Sequence, residues 1–390
     1  MVSIVSAAGS GRNSYRALSW LFIAIASIIP FVYSTKVWHF ATAPKEAVIQ
    51  IGIMVVMSIW MFTGRDRRIY FPAVFIPVMI FMSYCAVTMA WAINPYESFI
   101  TVLQWTISAM ALLIVANIIN KDHLLKALLF SAVLVSIAGI IHLTISPDAW
   151  REIPSIMFAN AHQASFYVLM CLSIAFYFSG WYLLGVIPIG TFLVLENSET
   201  VIVALCVMGI CTLIYYVRFQ SPQVLIMGCV FVFMALVMVA PSTKTDTLSE
   251  KDTSINIDQF KIGSRKALYQ RALSMVRDFP QGIGINNLKI HYPLYLKGEK
   301  RWETTPKTQT TYVHNDYLQL LIEAGIAGFL LFVLAVFAGI CSLDWKNRRT
   351  PFVFVSILSL WVISSAQFSM YQAWAPFLLF CFLGVGQCEE

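Results

Sequence analysis

Tyr312-Val313-His314-Asn315-Asp316-Tyr317-Leu318-Gln319-Leu320-Leu321-Ile322-Glu323-Ala324-Gly325-Ile326-Ala327-Gly328 carries a charged, polar segment straight into an apolar run that continues to residue 341. The run is long enough to cross a bilayer as a helix, which puts His314 at its water-facing mouth. Asp316, Gln319 and Glu323 recur at i, i+3 and i+7 and so share one helical face, the last carboxyl lying roughly 10 Å along the axis. Ionisable groups at membrane depth are costly and usually functional. The other reading is a stripe that only ties this helix to its neighbours.

The rest of the chain agrees with that reading. Of 390 residues, 59% are hydrophobic and 12% charged, with a mean hydropathy of +0.74. That is more apolar sequence than a water-soluble core can bury. The expected class is an all-α polytopic membrane protein of about 12 transmembrane helices, near 17–34, 47–63, 69–92, 98–119, 124–146, 162–179, 181–196, 200–217, 223–241, 315–341, 351–368 and 371–387. Two boundaries carry the weakest signal, at Gly180-Trp181 and between Gln367 and Trp374, where a re-entrant hairpin reads the same way. The expected division is 1–241 with nine helices, 242–312 as one large outer loop, and 313–390 with three more helices.

Lys and Arg in short connections set orientation. Arg12, Arg16, Arg65, Arg67, Arg68, Lys121, Lys126, Arg218, Lys346, Arg348 and Arg349 fall on one side, against Lys36, Lys45 and Arg151 on the other. The bias places both termini in the cytoplasm and 242–312 outside, which in a bacterium is the periplasm. The first apolar run follows Arg12 and Arg16 and precedes Ala41-Thr42-Ala43, as in a signal peptide, but it is long for a signal core and the alternation requires it as an anchor. The eight cysteines avoid the outer segment, so no disulfide is expected there. No Cys-x-x-Cys, His-x-x-x-His or Asp-x-Asp spacing offers metal ligands, and no repeat argues for the inverted halves of a transporter.

Residues 242–312 hold twelve Lys or Arg against seven Asp or Glu. Such a basic cap suits anionic ligands such as diphosphates, although solubility and attraction to lipid headgroups explain the sign equally well. Ser264 to Phe279 reads as an amphipathic helix with Leu268, Ala272, Val276 and Phe279 as its apolar stripe, Ser264 as N-cap and Pro280 as its stop. At 100° per residue Arg265 falls within the apolar stripe. An inward guanidinium needs an anion, either a phosphate or an internal carboxylate such as Glu323 or Glu199.

The Arg265-led helix, the Pro280-x-Gly282-x-Gly284 turn, and His314-Asn315-Asp316-Tyr317-Leu318 running into Glu323-x-Gly325-Ile326-x-Gly328 resemble the bacterial superfamily of O-antigen ligases, O-antigen polymerases and protein O-oligosaccharyltransferases. The resemblance is most like the ligases. It implies a metal-independent inner-membrane glycosyltransferase, without cofactor. Its donor would be a glycan on undecaprenyl diphosphate and its acceptor a sugar hydroxyl of the lipid A core oligosaccharide, in lipopolysaccharide biosynthesis. Membrane lipids are the remaining partners and no nucleic acid is involved. By the same resemblance His314 corresponds to an essential histidine and Arg265 to a diphosphate-binding arginine, with Asn315, Asp316, Tyr317 and Glu323 in support. A second family arginine is missing where this chain reads Leu195-Glu196-Asn197-Ser198-Glu199-Thr200. Asn160 and His162, in Phe158-Ala159-Asn160-Ala161-His162-Gln163, resemble a family Asn-x-Asn loop in part, and with Glu199 are weaker candidates; His162 also reads as an interfacial hydrogen-bonding residue.

Chemistry reaches a similar assignment. Transfer from a glycosyl diphosphate needs a base for the acceptor hydroxyl and positive charge for the departing diphosphate. A histidine at a helix N-terminus meets a field that disfavours its charged form, and arginine suits the diphosphate. A polymerase, an oligosaccharyltransferase acting on a protein hydroxyl, and a lipid-linked glycan transporter using Glu323 for proton coupling are the competing expectations.

Overall fold

The computed structural model describes residues 3–34, 36, 41–63, 69–145, 158, 161–239, 257–295 and 312–387, with backbone alone at 3–14, 161, 218–219 and 257–267. Every regular element among them is helical: α1 (Ser3–Ile28), α2 (Ala43–Thr63), α3 (Phe75–Val87), α4 (Pro95–Asn117), α5 (Lys121–Ile145), α6 (Ala161–Phe178), α7 (Val186–Glu196), α8 (Glu199–Phe219), α9 (Pro222–Val239), α10 (Ile257–Asp278), α11 (Leu288–His291), α12 (Asp316–Cys341), α13 (Thr350–Ser364) and α14 (Trp374–Val385).

Of these, α2, α4, α5, α8, α9 and α12 contain stretches long and apolar enough to cross a membrane. Six shorter apolar helical stretches lie among and after them. Large apolar side chains cover the outside of the bundle: Phe62 is 74% exposed, Ile145 74%, Val217 77% and Phe337 63%. In water such a surface would aggregate, and in hydrocarbon it costs nothing. The chain is a polytopic helical membrane protein. Of the charge-bias residues, Arg65, Arg67, Arg68 and Arg151 lie outside the described residues, as do the side chains of Arg12 and Arg218.

At Gly180-Trp181 the expected boundary holds. α6 stops at Phe178, and Ser179 and Gly180 turn the chain at φ 54° and 57° into a 3-10 stretch leading to α7. The final pair departs from a simple span. α14 has 12 residues, about 18 Å of helix and short of the hydrocarbon thickness, and every one of them is buried. It packs on α4 and α13 as the bundle's interior column, reached through a 3-10 turn at Ser369–Tyr371. Hydropathy cannot separate such a column from a lipid-facing span, because both are uniformly apolar.

The amphipathic helix also differs from expectation. α10 begins at Ile257, so Ser264 lies inside it rather than capping it, while Asp278 ends it two residues before Pro280. A serine followed by an apolar stripe marks a start only where the preceding residues resist helix, and Asp258 to Ile262 do not. Leu268, Ala272 and Met275 are its buried face, packed with Ile283, Leu288, Val313 and Ile322 in a cluster of their own. Met275 takes the place expected for Val276, which is half-buried.

The connections gather at two ends. At one, Lys121 Nζ donates to the Gln387 carbonyl (2.9 Å) and Arg349 Nε lies 3.1 Å from Asp122 Oδ1. At the other stand the start of α12, the α13–α14 turn, the α3–α4 connection and the 279–295 segment, where the candidate site lies.

Candidate functional site

Polar main chain in an apolar bundle has to be paired. Gly325 adopts φ 72° and ψ −176° inside α12, which breaks the i to i−4 ladder there. The freed groups find partners in the Pro280–Gly284 turn: Ile283 N–H donates to Ile322 O (3.1 Å), Gly284 N–H to Glu323 O (2.9 Å), and Ile326 N–H to Pro280 O (2.9 Å). Contact is backbone on backbone. A β-carbon on Gly282 would lie 2.4 Å from the Glu323 carbonyl oxygen, and one on Gly325 2.3 Å from the Gln281 carbonyl carbon. The two glycine patterns quoted from the sequence are therefore the two halves of one junction.

Beyond the junction the chain turns through Asn286 at φ 58°. Glu323, fully buried, holds that turn: Oε2 accepts from Asn286 N–H (2.6 Å), and Oε1 from Leu288 N–H (3.4 Å) and Gln319 Nε2 (3.1 Å). Asn286 Nδ2 in turn donates to Glu97 Oε2 (3.1 Å) and Thr101 Oγ1 (3.0 Å). Asn287 exchanges hydrogen bonds with the Asn94 backbone and donates to Ser98 Oγ. Lys289 pairs with Glu97 at 2.8 Å.

The α12 carboxylates also fix the α13–α14 turn. Tyr371 Oη donates to Glu323 Oε2 (2.6 Å), and Met370 N–H donates to Asp316 Oδ2 (3.0 Å). Gln319 Oε1 accepts from Val313 N–H (3.2 Å). Asp316, Gln319 and Glu323 thus share one buried face, and that face binds neighbouring elements together, the second of the two readings open at the start.

His314 precedes the N-cap. Asn315 Oδ1 accepts from Leu318 N–H (3.0 Å), and His314 itself sits at φ 56°, a left-handed conformation uncommon for residues with a side chain. Its carbonyl accepts from Tyr269 Oη (3.4 Å), and its ring meets Phe368 edge-on at 5.2 Å. Tyr312 stacks on the same Phe368 at 4.3 Å and 3°. Burial, with the Glu323 carboxylate nearby, pushes the Tyr312 phenol above its ordinary range, so it stays neutral. Position 265 is on the α10 backbone one turn before Tyr269, while the Arg265 side chain lies outside the described residues.

Below His314 an apolar groove, partly open to the outside, runs between α12 residues Asp316 and Gly339 and their neighbours. Val78, Phe81, Phe332 and Leu379 line its sides, and Tyr317, whose hydroxyl donates to the Trp361 carbonyl (2.7 Å), stands at its head. Across the bundle end His162 Nδ1 is hydrogen-bonded to Glu196 Oε1. The His162 side chain is 52% exposed and the Glu196 side chain is buried, so this is a second imidazole oriented by a carboxylate. Glu199, exposed in the first turn of α8, takes no part in that bond, and Asn160 lies outside the described residues. Among the described residues no three His, Cys, Asp or Glu side chains converge as a metal site.

Residues 184–333 match the family model of O-antigen ligase. The matched stretch holds Arg265, both halves of the glycine junction, His314 and Glu323, the positions on which the resemblance rests. Among curated proteins no match to the chain was found. Outside the matched stretch stands the α13–α14 turn, which meets the site only in three dimensions.

Sequence reasoning missed three features at this end of the bundle. Glu196 was passed over for Glu199, though a carboxylate ending an apolar run before a left-handed Asn197 carries the signal of an inward acid. Lys45 was counted only as a loop charge; it is buried, donates to Val32 O (2.8 Å) and Ala41 O (3.0 Å), and lies 5.1 Å from the Phe158 ring. The polar residues between Gln367 and Gln372 were read only as a boundary.

Proposed function

We infer that this chain is an O-antigen ligase, transferring a glycan from undecaprenyl diphosphate to a sugar hydroxyl of the lipid A core at the periplasmic face of the inner membrane. The family match over the segment that carries Arg265 and His314 supports the reading most directly. Its chemistry follows from the residues. His314 takes the proton of the acceptor hydroxyl, whose oxygen bonds to the anomeric carbon as the bond from that carbon to the diphosphate oxygen breaks. Undecaprenyl diphosphate leaves with the electron pair, and the anomeric configuration inverts.

Arg265 is assigned to the departing diphosphate by its place on α10, one turn from the Tyr269 that contacts His314. The groove under Asp316 suits the isoprenoid chain, since its walls are apolar. Asn315, Asp316, Tyr317 and Glu323 act as positioning residues through the cap, the Met370 amide, the Trp361 carbonyl and the Asn286 turn.

Purified protein in lipid nanodiscs is expected to join lipid-linked glycan to core-bearing lipid A, with His314→Ala lowering the rate at least a hundredfold. Wild-type rates from that variant would remove His314 from the chemistry. In a deletion strain, free lipid-linked polymer with bare core identifies a ligase, whereas core bearing a single repeat unit identifies a polymerase and overturns the acceptor assignment. Chelator is expected to leave the rate unchanged.

A further inference from the structure

Behind Phe368, on the side of the α13–α14 turn away from the apolar groove, lies a second, smaller and half-open pocket between that turn and the start of α6. Met370 and Tyr371 line the groove; Phe368, Ser369 and Gln372 line the pocket. One 3-10 turn is the partition between the two, and Asp316 and Glu323 hold it in place. Phe368 is shared with His314, so the pocket lies next to the proposed base.

Three polar atoms in the pocket wall have no hydrogen-bond partner: Ser369 Oγ, Gln372 Oε1 and Trp374 Nε1. Their residues are 3%, 5% and 2% exposed. Buried polar groups are nearly always paired, so three on one small cavity call for a common complement. The set defines that complement. The indole N–H only donates, the amide oxygen only accepts, and the serine hydroxyl does either. A phosphodiester lacks the donor that Gln372 needs, and among the described residues no Lys or Arg lines the pocket. A hydrocarbon chain satisfies none of the three.

Phe166 and Phe368 add apolar faces, and the Trp374 ring is held edge-on by Phe158 (5.8 Å) and Tyr167 (6.1 Å), so its N–H is fixed in direction. Hydroxyls that both donate and accept, around a ring with an apolar face, are the chemistry of a sugar. We propose that this pocket is a subsite for one uncharged sugar residue beside His314, belonging either to the acceptor oligosaccharide or to the glycan on the donor. The inference rests on the transferase reading for the identity of the sugar's carrier, and on Ser369, Gln372 and Trp374 for the subsite itself, all outside the family-matched stretch.

The test uses the full chain in nanodiscs. Trp374→Phe keeps the ring and removes only the N–H, and Gln372→Leu keeps the bulk and removes the acceptor. Each is expected to raise KM about tenfold for one substrate and not the other, the size expected of one lost hydrogen bond. A rise for core-bearing lipid A assigns the pocket to the acceptor, and a rise for the lipid-linked glycan assigns it to the donor. Unchanged KM for both means the pocket holds only water and overturns the proposal. Saturation-transfer measurements with lipid-free core oligosaccharide and with glycan released from its carrier, on His314→Ala protein, give a reading that needs no turnover. Binding of one of them, weakened by Trp374→Phe and by Ser369→Ala in protein of unchanged melting temperature, supports the subsite even if the ligase reading fails; binding of neither to otherwise folded His314→Ala protein overturns it.

Discussion

A β-carbon at Gly325 would sit 2.3 Å from the Gln281 carbonyl carbon and 2.6 Å from the Gly282 amide nitrogen, and neither atom belongs to a side chain that can swing away. Gly325→Ala is therefore expected to cost about 3 kcal/mol or more through strain at positive φ and a parted junction, read as a lower melting temperature in detergent. Gly190→Ala, which meets only the flexible end of Met234, is expected to be neutral or slightly stabilising. His291 gives a pH signature. It is 6% exposed, both ring nitrogens lack partners, and burial lowers its pKa below the ordinary 6.5. The unfolded ring therefore binds protons more readily than the folded one, so its contribution is full above about pH 6.5 and lost as pH falls. Amide exchange at Ile283–Tyr292 is expected to speed up below that pH, and His291→Phe to abolish the dependence. Much at this scale was legible. The Asp316, Gln319 and Glu323 register followed from spacing alone, because i, i+3 and i+7 share a helical face whatever surrounds them. Their partners were not, since Asn286 and Met370 approach from 37 and 54 residues away.

At the scale of elements, periodicity located α12 and the apolar face of α10, but not the start of α10 or the nature of α14. A stripe of Leu268, Ala272 and Val276 reports a face to within a residue, Met275 being the one buried, whereas a helix start depends on what the preceding residues prefer. For α14 the reason is different. An apolar helix buried among helices and one facing lipid have the same composition, and only its 12-residue length separates them. The 3-10 turn ahead of it was hidden for the same reason that it matters. Its polar residues are too few to interrupt a hydropathy average, yet they form the wall between groove and pocket.

For the whole molecule, the charge bias and the apolar perimeter make a joint prediction about topology. A phosphatase reporter inserted within 242–256 is expected to be active outside the cytoplasm, and a fluorescent protein at the C-terminus to mature inside it. Reversal of both would turn the site to the wrong compartment for a periplasmic reaction. The general class was readable from composition because 59% apolar residues leave no soluble alternative. The site was readable only in part, because His314 and Arg265 stand on segments that composition marks, while His162 and Glu196 stand at the far ends of two consecutive helices, α6 and α7, and meet only when those helices fold back on one another.

The Asn286-Asn287 turn fastens the segment after α10 to the α3–α4 connection through Asn94, Glu97, Ser98 and Thr101, with Trp91 donating to the Gly282 carbonyl at 3.0 Å. None of those bonds depends on an unbroken chain between α9 and α10. A gene cut between codons 240 and 256 is therefore expected to yield two polypeptides that reassemble when produced together and copurify through a tag on either one. Asn287→Leu should abolish that complementation while the uncut protein still inserts, so the turn serves as the seam along which the molecule can be divided and rejoined.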